Sequence, residues 1–513
     1  MVIKQLLTLT MVTLLCLACG SQTVPPDQSP AGHVSTPATS PQPDTAVASA
    51  TQRPTDTNHR SYAVVDTGQN GCYNATDQIN CPASGTAFYG QDANYAGLPH
   101  HYQNNGDGTI TDLNTGLMWQ KTPNLDDKST YAEAVAGADS FNLAGYDDWR
   151  LPTIKEHYSL THFNGSSMRE IPYIDTNYFD FRFGSGWSER TIDAQYWSST
   201  EYVGTTFHGD ATVFGMNFAD GRIKGYPRDK GPGGSPMTEF VRYVRGNPDY
   251  GINQFVDNGN DTITDEATGL IWQKGDSGRP MNWEAALLYC ETLHQAGHED
   301  WRLPNAKELQ TIVDYSRAPD ALNLEQQGPA IDPIFNLTET ESWYWTGTTL
   351  FESPPHLGQG NQAVYFAFGQ AFGVYDDGLL NVHGAGAQRG DPKSGNPADW
   401  TDGLGPQNDQ IRINNYARCI RAGQVTVAEN LQAAPDVQQP QTQPQQPSDR
   451  SHRGSESLRD QQGQPPQGRT PPQEALDACH GLSDGATCEF NAPHGRITGT
   501  CRIVPQQQLA CVP

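Results

Sequence analysis

Basic residues are scarce in this chain of 513 residues: Lys and Arg number 32 against 58 Asp and Glu, a net charge of −26. So acidic a surface repels phosphate backbones, which excludes nucleic acid as a partner. Anionic polysaccharides would need a basic patch that the sequence does not display. Long apolar runs are missing as well. The run Leu6–Leu17 is too short and too early to span a bilayer. Catalytic signatures are also absent, with no Gly-x-Ser-x-Gly, His-Glu-x-x-His or phosphate loop, so no enzyme class is indicated.

What the N-terminus does contain is the pattern of an export signal: Lys4, the apolar run, then Ala18-Cys19-Gly20. This resembles a lipobox, in which Cys19 takes a lipid that tethers the chain to a membrane. Cys16 stands where an aliphatic residue is usual, and the alternative is an ordinary signal peptide over residues 1–19. Export to a bacterial envelope is expected either way, at the outer membrane or cell surface with the periplasm as alternative. The eight cysteines beyond Cys19 suit an oxidising compartment.

Residues 20–60 and 424–475 are Pro/Thr/Ser-rich and Gln/Pro-rich respectively and read as disordered tethers. Between them lies a repeat with a period of roughly 150 residues. NNGDGTITDLNTGLMWQK (104–121) matches DNGNDTITDEATGLIWQK (257–274), and DDWRLPTIKE (147–156) matches EDWRLPNAKE (299–308). YWSST (196–200) matches YWTGT (344–348), and RYVRG (242–246) matches RCIRA (418–422). These blocks set two domains, 61–250 with an N-terminal Cys72/Cys81 extension and 251–423. A small four-Cys module at 476–513 follows.

Within each copy TITD and GLMWQ or GLIWQ read as strands. The spacing predicts helices over 131–144 and 283–296. In the ten-residue phrase, Trp149 and Leu151, like Trp301 and Leu303, face a core. Pro152 or Pro304 bends the chain, and Thr153-x-x-Glu156 or Asn305-x-x-Glu308 caps a helix. Arg150 and Arg302 either join those Glu residues in a polar catalytic pair or pair with nearby carboxylates such as Asp148 and Asp300. The second reading is preferred, with both Arg largely buried.

Together the blocks resemble a bacterial extracytoplasmic family, domain of unknown function 1566 or the C-terminal domain of the Legionella collagen-like adhesin. The resemblance implies an α+β fold of two tandem C-type-lectin-like domains used for surface binding. The enzymes of that fold group, the formylglycine-generating enzymes, need two cysteines spaced five apart near the domain end. Here only Cys419 lies there.

Cys290 and Cys419 occur only in the second copy, where the first has Ala138 and Tyr243, so a Cys290–Cys419 disulfide is expected; two free thiols are the alternative. Cys72 should bridge Cys81. Cys479, Cys488, Cys501 and Cys511 should form two further disulfides of open connectivity, zinc with His480 and His494 being the rival. No EF-hand loop fits either NG turn. Asp107, Asp112, Asp261 and Asp265 read as turn residues, a shallow calcium site being the one cofactor reading left open. His100-His101 reads as a surface pair. Trp187, Tyr202, Phe207 and His208 in one copy, and Trp343, Phe351 and His356 in the other, are loop aromatic residues that could stack on sugar rings or cover their own loops. The function expected is tandem non-catalytic binding of a polysaccharide or another surface ligand. The alternatives are an assembly protein with envelope protein partners and, third, an enzyme.

Overall fold

In the computed structural model, the residues described are 61–185, 189–231, 234–352, 360–428, 473–483, 485–492, 495–504 and 508–512. The export signal, Cys19, the first tether, residues 429–472 of the second, Trp187, His356 and His494 lie outside them; the ends of the second tether are a correction, for Thr426–Val427 is a strand and a helix begins at Gln473. The chain is mostly sheet with few helices, an α+β arrangement.

Each copy opens with the same antiparallel meander. Strands Tyr102–Asn104, Thr109–Asp112 and Leu117–Gln120 are followed in the sheet by the copy's last strand, Val244–Gly246. The second copy repeats this with Phe255–Asp257, Thr262–Asp265, Leu270–Gln273 and Ile420–Ala422. Burial alternates along these strands, so Trp119 and Trp272 reach the core. Asp107 accepts from the Thr109 amide at 3.1 Å, and buried Asp112 and Asp265 accept from loop amides, so these carboxylates do act in turns.

The helices start on side-chain caps, Thr130 for α1 (Tyr131–Ser140) and Asn282 for α3 (Trp283–Glu291). Both are shorter than the spacing predicts. Phe141 leaves the helix to pack on Trp149 and Tyr243, at 5.7 and 4.8 Å between ring centroids. Ala144 and Ala296 then turn into the left-handed region, φ 56° and 53°.

The ten-residue phrase builds α2 (Ile154–Ser159) and α4 (Ala306–Thr311), each on a complete capping box. Its Lys has a further part. Lys155 Nζ donates to the Thr311 carbonyl at the end of α4 (2.7 Å), and Lys307 Nζ donates to the Ser159 carbonyl at the end of α2 (2.8 Å). Each copy thus satisfies the other's helix terminus, where a cation also suits the helix dipole. Burial lowers these ammonium groups to about 8 and about 7.

The same pseudo-twofold relation organises the main sheet. First-copy strands Gln195–Glu201, Thr212–Asn217 and Arg222–Pro227 join second-copy strands Gln388–Pro392, Gln362–Ala367 and Trp343–Leu350 in one six-stranded sheet. At its centre Ile223 pairs with Gln388, its own counterpart. One face packs on α2 and α4, where Tyr158 meets Phe366 at 5.8 Å across the copies.

The Cys72–Cys81 loop clasps both copies. Just before it, the Gln69 side-chain amide donates to the Phe163 carbonyl in one (3.0 Å) and the Thr349 carbonyl in the other (2.8 Å). Strand Tyr95–Ala96 pairs with Thr426–Val427. His100 is a correction in part: it is half-buried, its ring takes the Lys307 ammonium at 2.9 Å and stacks on His162, while His101 is exposed.

Cys290 is bonded to Cys419, Cys479 to Cys501 and Cys488 to Cys511. The C-terminal module is a short helix, Gln473–Asp477, with strands Thr487–Ala492, Gly495–Val504 and Gln508–Val512. The sulfurs of Cys479, Cys488 and Cys511 cluster there, but disulfide sulfurs lack the thiolate that zinc requires.

One buried group invites a test. His157 is fully buried against Trp119, and neither ring nitrogen has a hydrogen-bond partner of sound geometry. The second copy has Leu309 there. His157→Leu should stabilise the chain by about 1–3 kcal/mol near pH 7. Burial lowers the imidazole to about 3, so the folded wild type loses stability as pH falls below the unfolded value near 6.5. The gain should therefore widen from pH 6.5 towards 4 in urea titrations; a constant gain would show that the ring is solvated.

Candidate functional site

The repeated phrase is the first candidate, and its geometry assigns it to structure. The Arg150 Nη1 donates to Glu156 Oε2 (2.6 Å) and Nη2 to Oε1 (2.5 Å), and Arg302 and Glu308 repeat this at 2.6 and 2.6 Å. The same Glu oxygens accept from the Thr153 and Asn305 amides, at 2.8 and 2.9 Å. A carboxylate engaged by a bidentate Arg and a helix cap has both oxygens occupied by structural hydrogen bonds. Asp148 and Asp300 are not the partners. They pair with Arg245 and Arg421, at 2.5 and 2.7 Å, in the copies' last strands. The companion Arg242 and Arg418 are fully buried and donate to backbone carbonyls, among them Gln120 (2.6 Å) and Gln273 (2.8 Å). The Pro152 and Pro304 carbonyls accept from the Ser199 and Gly347 amides, both at 2.8 Å.

Burial of the two Arg differs. The side chain of Arg302 is 6% exposed and that of Arg150 is 37% exposed. Tyr95 of the clasp covers the first, its ring 5.4 Å from the guanidinium.

The loop aromatic candidates need correction. Tyr202 is buried and donates its hydroxyl to Asp320 of the second copy, so it cannot offer a face. Trp343 is fully buried, stacked on Tyr365 at 4.6 Å under the Arg412 guanidinium at 3.6 Å. Phe351 is half-buried against the Tyr73 ring at 4.8 Å. Phe207 and His208, by contrast, reach the rim of the feature that does resemble a binding site.

That feature is a cleft of about 620 Å³ on the sheet face turned away from α2 and α4. Its floor is strand Arg222–Pro227, its walls come from the loops before Gln195 and after Val203, and His383 and Gln407 enter from the second copy. Gly225 lets the two approach, since a Cβ there would lie 2.7 Å from the His383 carbonyl oxygen.

Three buried polar groups at the cleft are unfinished: the Tyr226 hydroxyl, Glu239 and His383. Glu239 is 2% exposed, its Oε2 has no hydrogen-bond partner, and burial pushes its carboxyl up to about 8. His383 is also 2% exposed. Its Nε2–H donates to Asp409 Oδ1 (2.9 Å), a carboxylate held low chiefly by Arg389, which leaves Nδ1 a bare acceptor. Burial and Arg389 lower this imidazole to about 4, so it is neutral at pH 7. Unpaired buried groups carry a cost that a bound partner can relieve.

Among the described residues, the second copy carries larger side chains at part of the matching place. Sheet register and the closing block align Gln195 with Trp343, Gly215 with Tyr365, Tyr226 with Asp391 and Glu239 with Asn415. There Asn415 donates to Asp391 (2.9 Å), although Asp391 Oδ1 and Asn415 Oδ1 have no partner either, and Trp343 stacks on Tyr365, which stands where the first copy has Gly215. Glu239, Lys224 and His383 were not singled out by sequence. The signal available was the point where two otherwise matching copies stop matching.

A family described as the Lcl C-terminal domain matches residues 108–245 and 261–382, together just over half of the chain. No curated protein and no solved structure matches it.

Proposed function

Because the chain belongs to the Lcl C-terminal domain family and carries that domain in two tandem copies, we propose that it is a non-catalytic binding protein of the bacterial envelope. In this reading the copies are C-type-lectin-like domains, the first binds through its cleft, and the second supports it. The carrying observation is the cleft with three unpartnered buried polar groups, beside repeated motifs whose charged groups are already engaged. Cys19 would hold the chain to a membrane by a lipid. Among the described residues no helix is long and apolar enough to cross one.

Fractionation tests this directly. Wild type should sediment with membranes and Cys19→Ala should be released. The purified fragment 61–428 should be retained on isolated envelopes. A fragment that envelopes do not retain would sink the binding reading. Retention abolished by protease treatment of the envelopes would transfer it to an assembly role with protein partners.

A further inference from the structure

Resting on that binding reading, we infer that the first-copy cleft takes an uncharged polyhydroxyl ligand, a segment of neutral sugar units. The charge inventory points this way. The cleft is lined by four basic and four acidic side chains, of which Glu239 is held neutral by burial, so it carries little net charge within a chain of net charge −26. Three of the cations are already engaged: Lys128 with Glu189 (3.1 Å), Arg190 with Asp193 (2.7 Å) and Lys224 with Asp220 (2.6 Å). Only Lys230 stands exposed at the rim without an ion pair among the described residues. A sulfated or phosphorylated chain would have to break those pairs, and a strongly cationic one would meet the same ammonium and guanidinium groups.

The unfinished groups ask for the opposite of charge. His383 Nδ1 needs a donor. Glu239, protonated over most of the neutral range, offers one donor and accepts another hydrogen bond. A sugar hydroxyl both donates and accepts, so adjacent hydroxyls satisfy either group without burying net charge. Phe207 and Met237, both half-buried, supply apolar surface at the opening for a ring face.

The test uses the full chain and immobilised probes of three kinds: neutral dextran, mannan and galactan; dextran sulfate; and chitosan oligomers. Retention on at least one neutral probe is expected and should persist in high salt, because screening does not weaken neutral hydrogen bonds. Glu239→Gln should bind within about threefold of wild type, while Glu239→Ala and Phe207→Ala should each lose about tenfold. Phe207→Ala lies on the rim and keeps the test open if the Glu239 variants fold poorly. Salt-sensitive binding to dextran sulfate or chitosan alone overturns the ligand class and leaves the binding reading standing. So does retention on envelopes with no polysaccharide probe bound. Unchanged binding in Phe207→Ala and Glu239→Ala removes the ligand from the cleft. No retention on envelopes at all overturns the binding reading itself.

Discussion

Glu308→Ala should lower the unfolding free energy by about 3–5 kcal/mol, the usual cost of stranding one member of a buried ion pair. Arg302 would lose both charged hydrogen bonds, at 2.6 and 2.6 Å, while remaining 6% exposed under Tyr95. The Asn305 amide would lose its acceptor at the same time. The matching substitution Glu156→Ala should cost only about 1–2 kcal/mol, chiefly the lost cap, because Arg150 is 37% exposed and can turn to water. Urea unfolding of the fragment 61–428 measures both. Equal costs in the two copies would mean that the clasp does not seal the second corner. Glu308→Gln keeps a cap acceptor but not the ion pair, and it should fall between Glu308→Ala and wild type.

The second large effect is at Cys290 and Cys419. The bond joins residues 129 apart, and closing so long a loop stabilises by about 4–5 kcal/mol in the chain-entropy model. Cys290→Ala with Cys419→Ala should lower stability by that amount, and reduction of wild type, which also opens the other disulfides, by at least as much. The first copy holds the same helix to the same strand differently: Tyr243 donates its hydroxyl to the Ala134 carbonyl at 2.9 Å. Gly137 makes room for that hydroxyl, which would stand 2.4 Å from a Cβ there. Installing Tyr at 419 should therefore recover stability only when Tyr289, the residue matching Gly137, is also made Gly. Recovery without that change would contradict the alignment of the copies. An unchanged midpoint in reductant would show that the thiols contribute nothing as a pair.

The parts of this fold legible in the sequence are those fixed by near neighbours. Thr153-x-x-Glu156 and Asn305-x-x-Glu308 form their capping boxes because three residues bring the groups together whatever surrounds them. The two-cysteine difference between copies likewise marked a contact, since only a pair would be absent together. The partners of Asp148 and Asp300 were not legible. Their arginines lie 97 and 121 positions away, brought near by the last strand. Nothing in the sequence marks Lys155 and Lys307, and only the packing of α2 on α4 turns them into a reciprocal clamp. The sharing of one sheet by both copies depends on the Ile223–Gln388 pairing, for which neither strand has a local signature. Trp343 and Tyr202 were offered as exposed faces because an aromatic residue reads the same on a loop and in a core. The cleft was invisible for a related reason: its two key groups come from different copies, and what identifies them is the hydrogen bond each lacks.

The ligand is assigned to the first copy, and the second, with Trp343 on Tyr365 at the matching place, is expected to bind none. Hydroxyl-radical footprinting of the fragment 61–428, with and without isolated envelope polysaccharide, tests it residue by residue. Protection of Phe207, His208 and Met237, with no change around Leu322 and Leu324 on the exposed second-copy loop, is the result expected. Protection confined to second-copy residues, or equal protection of both copies, would contradict it.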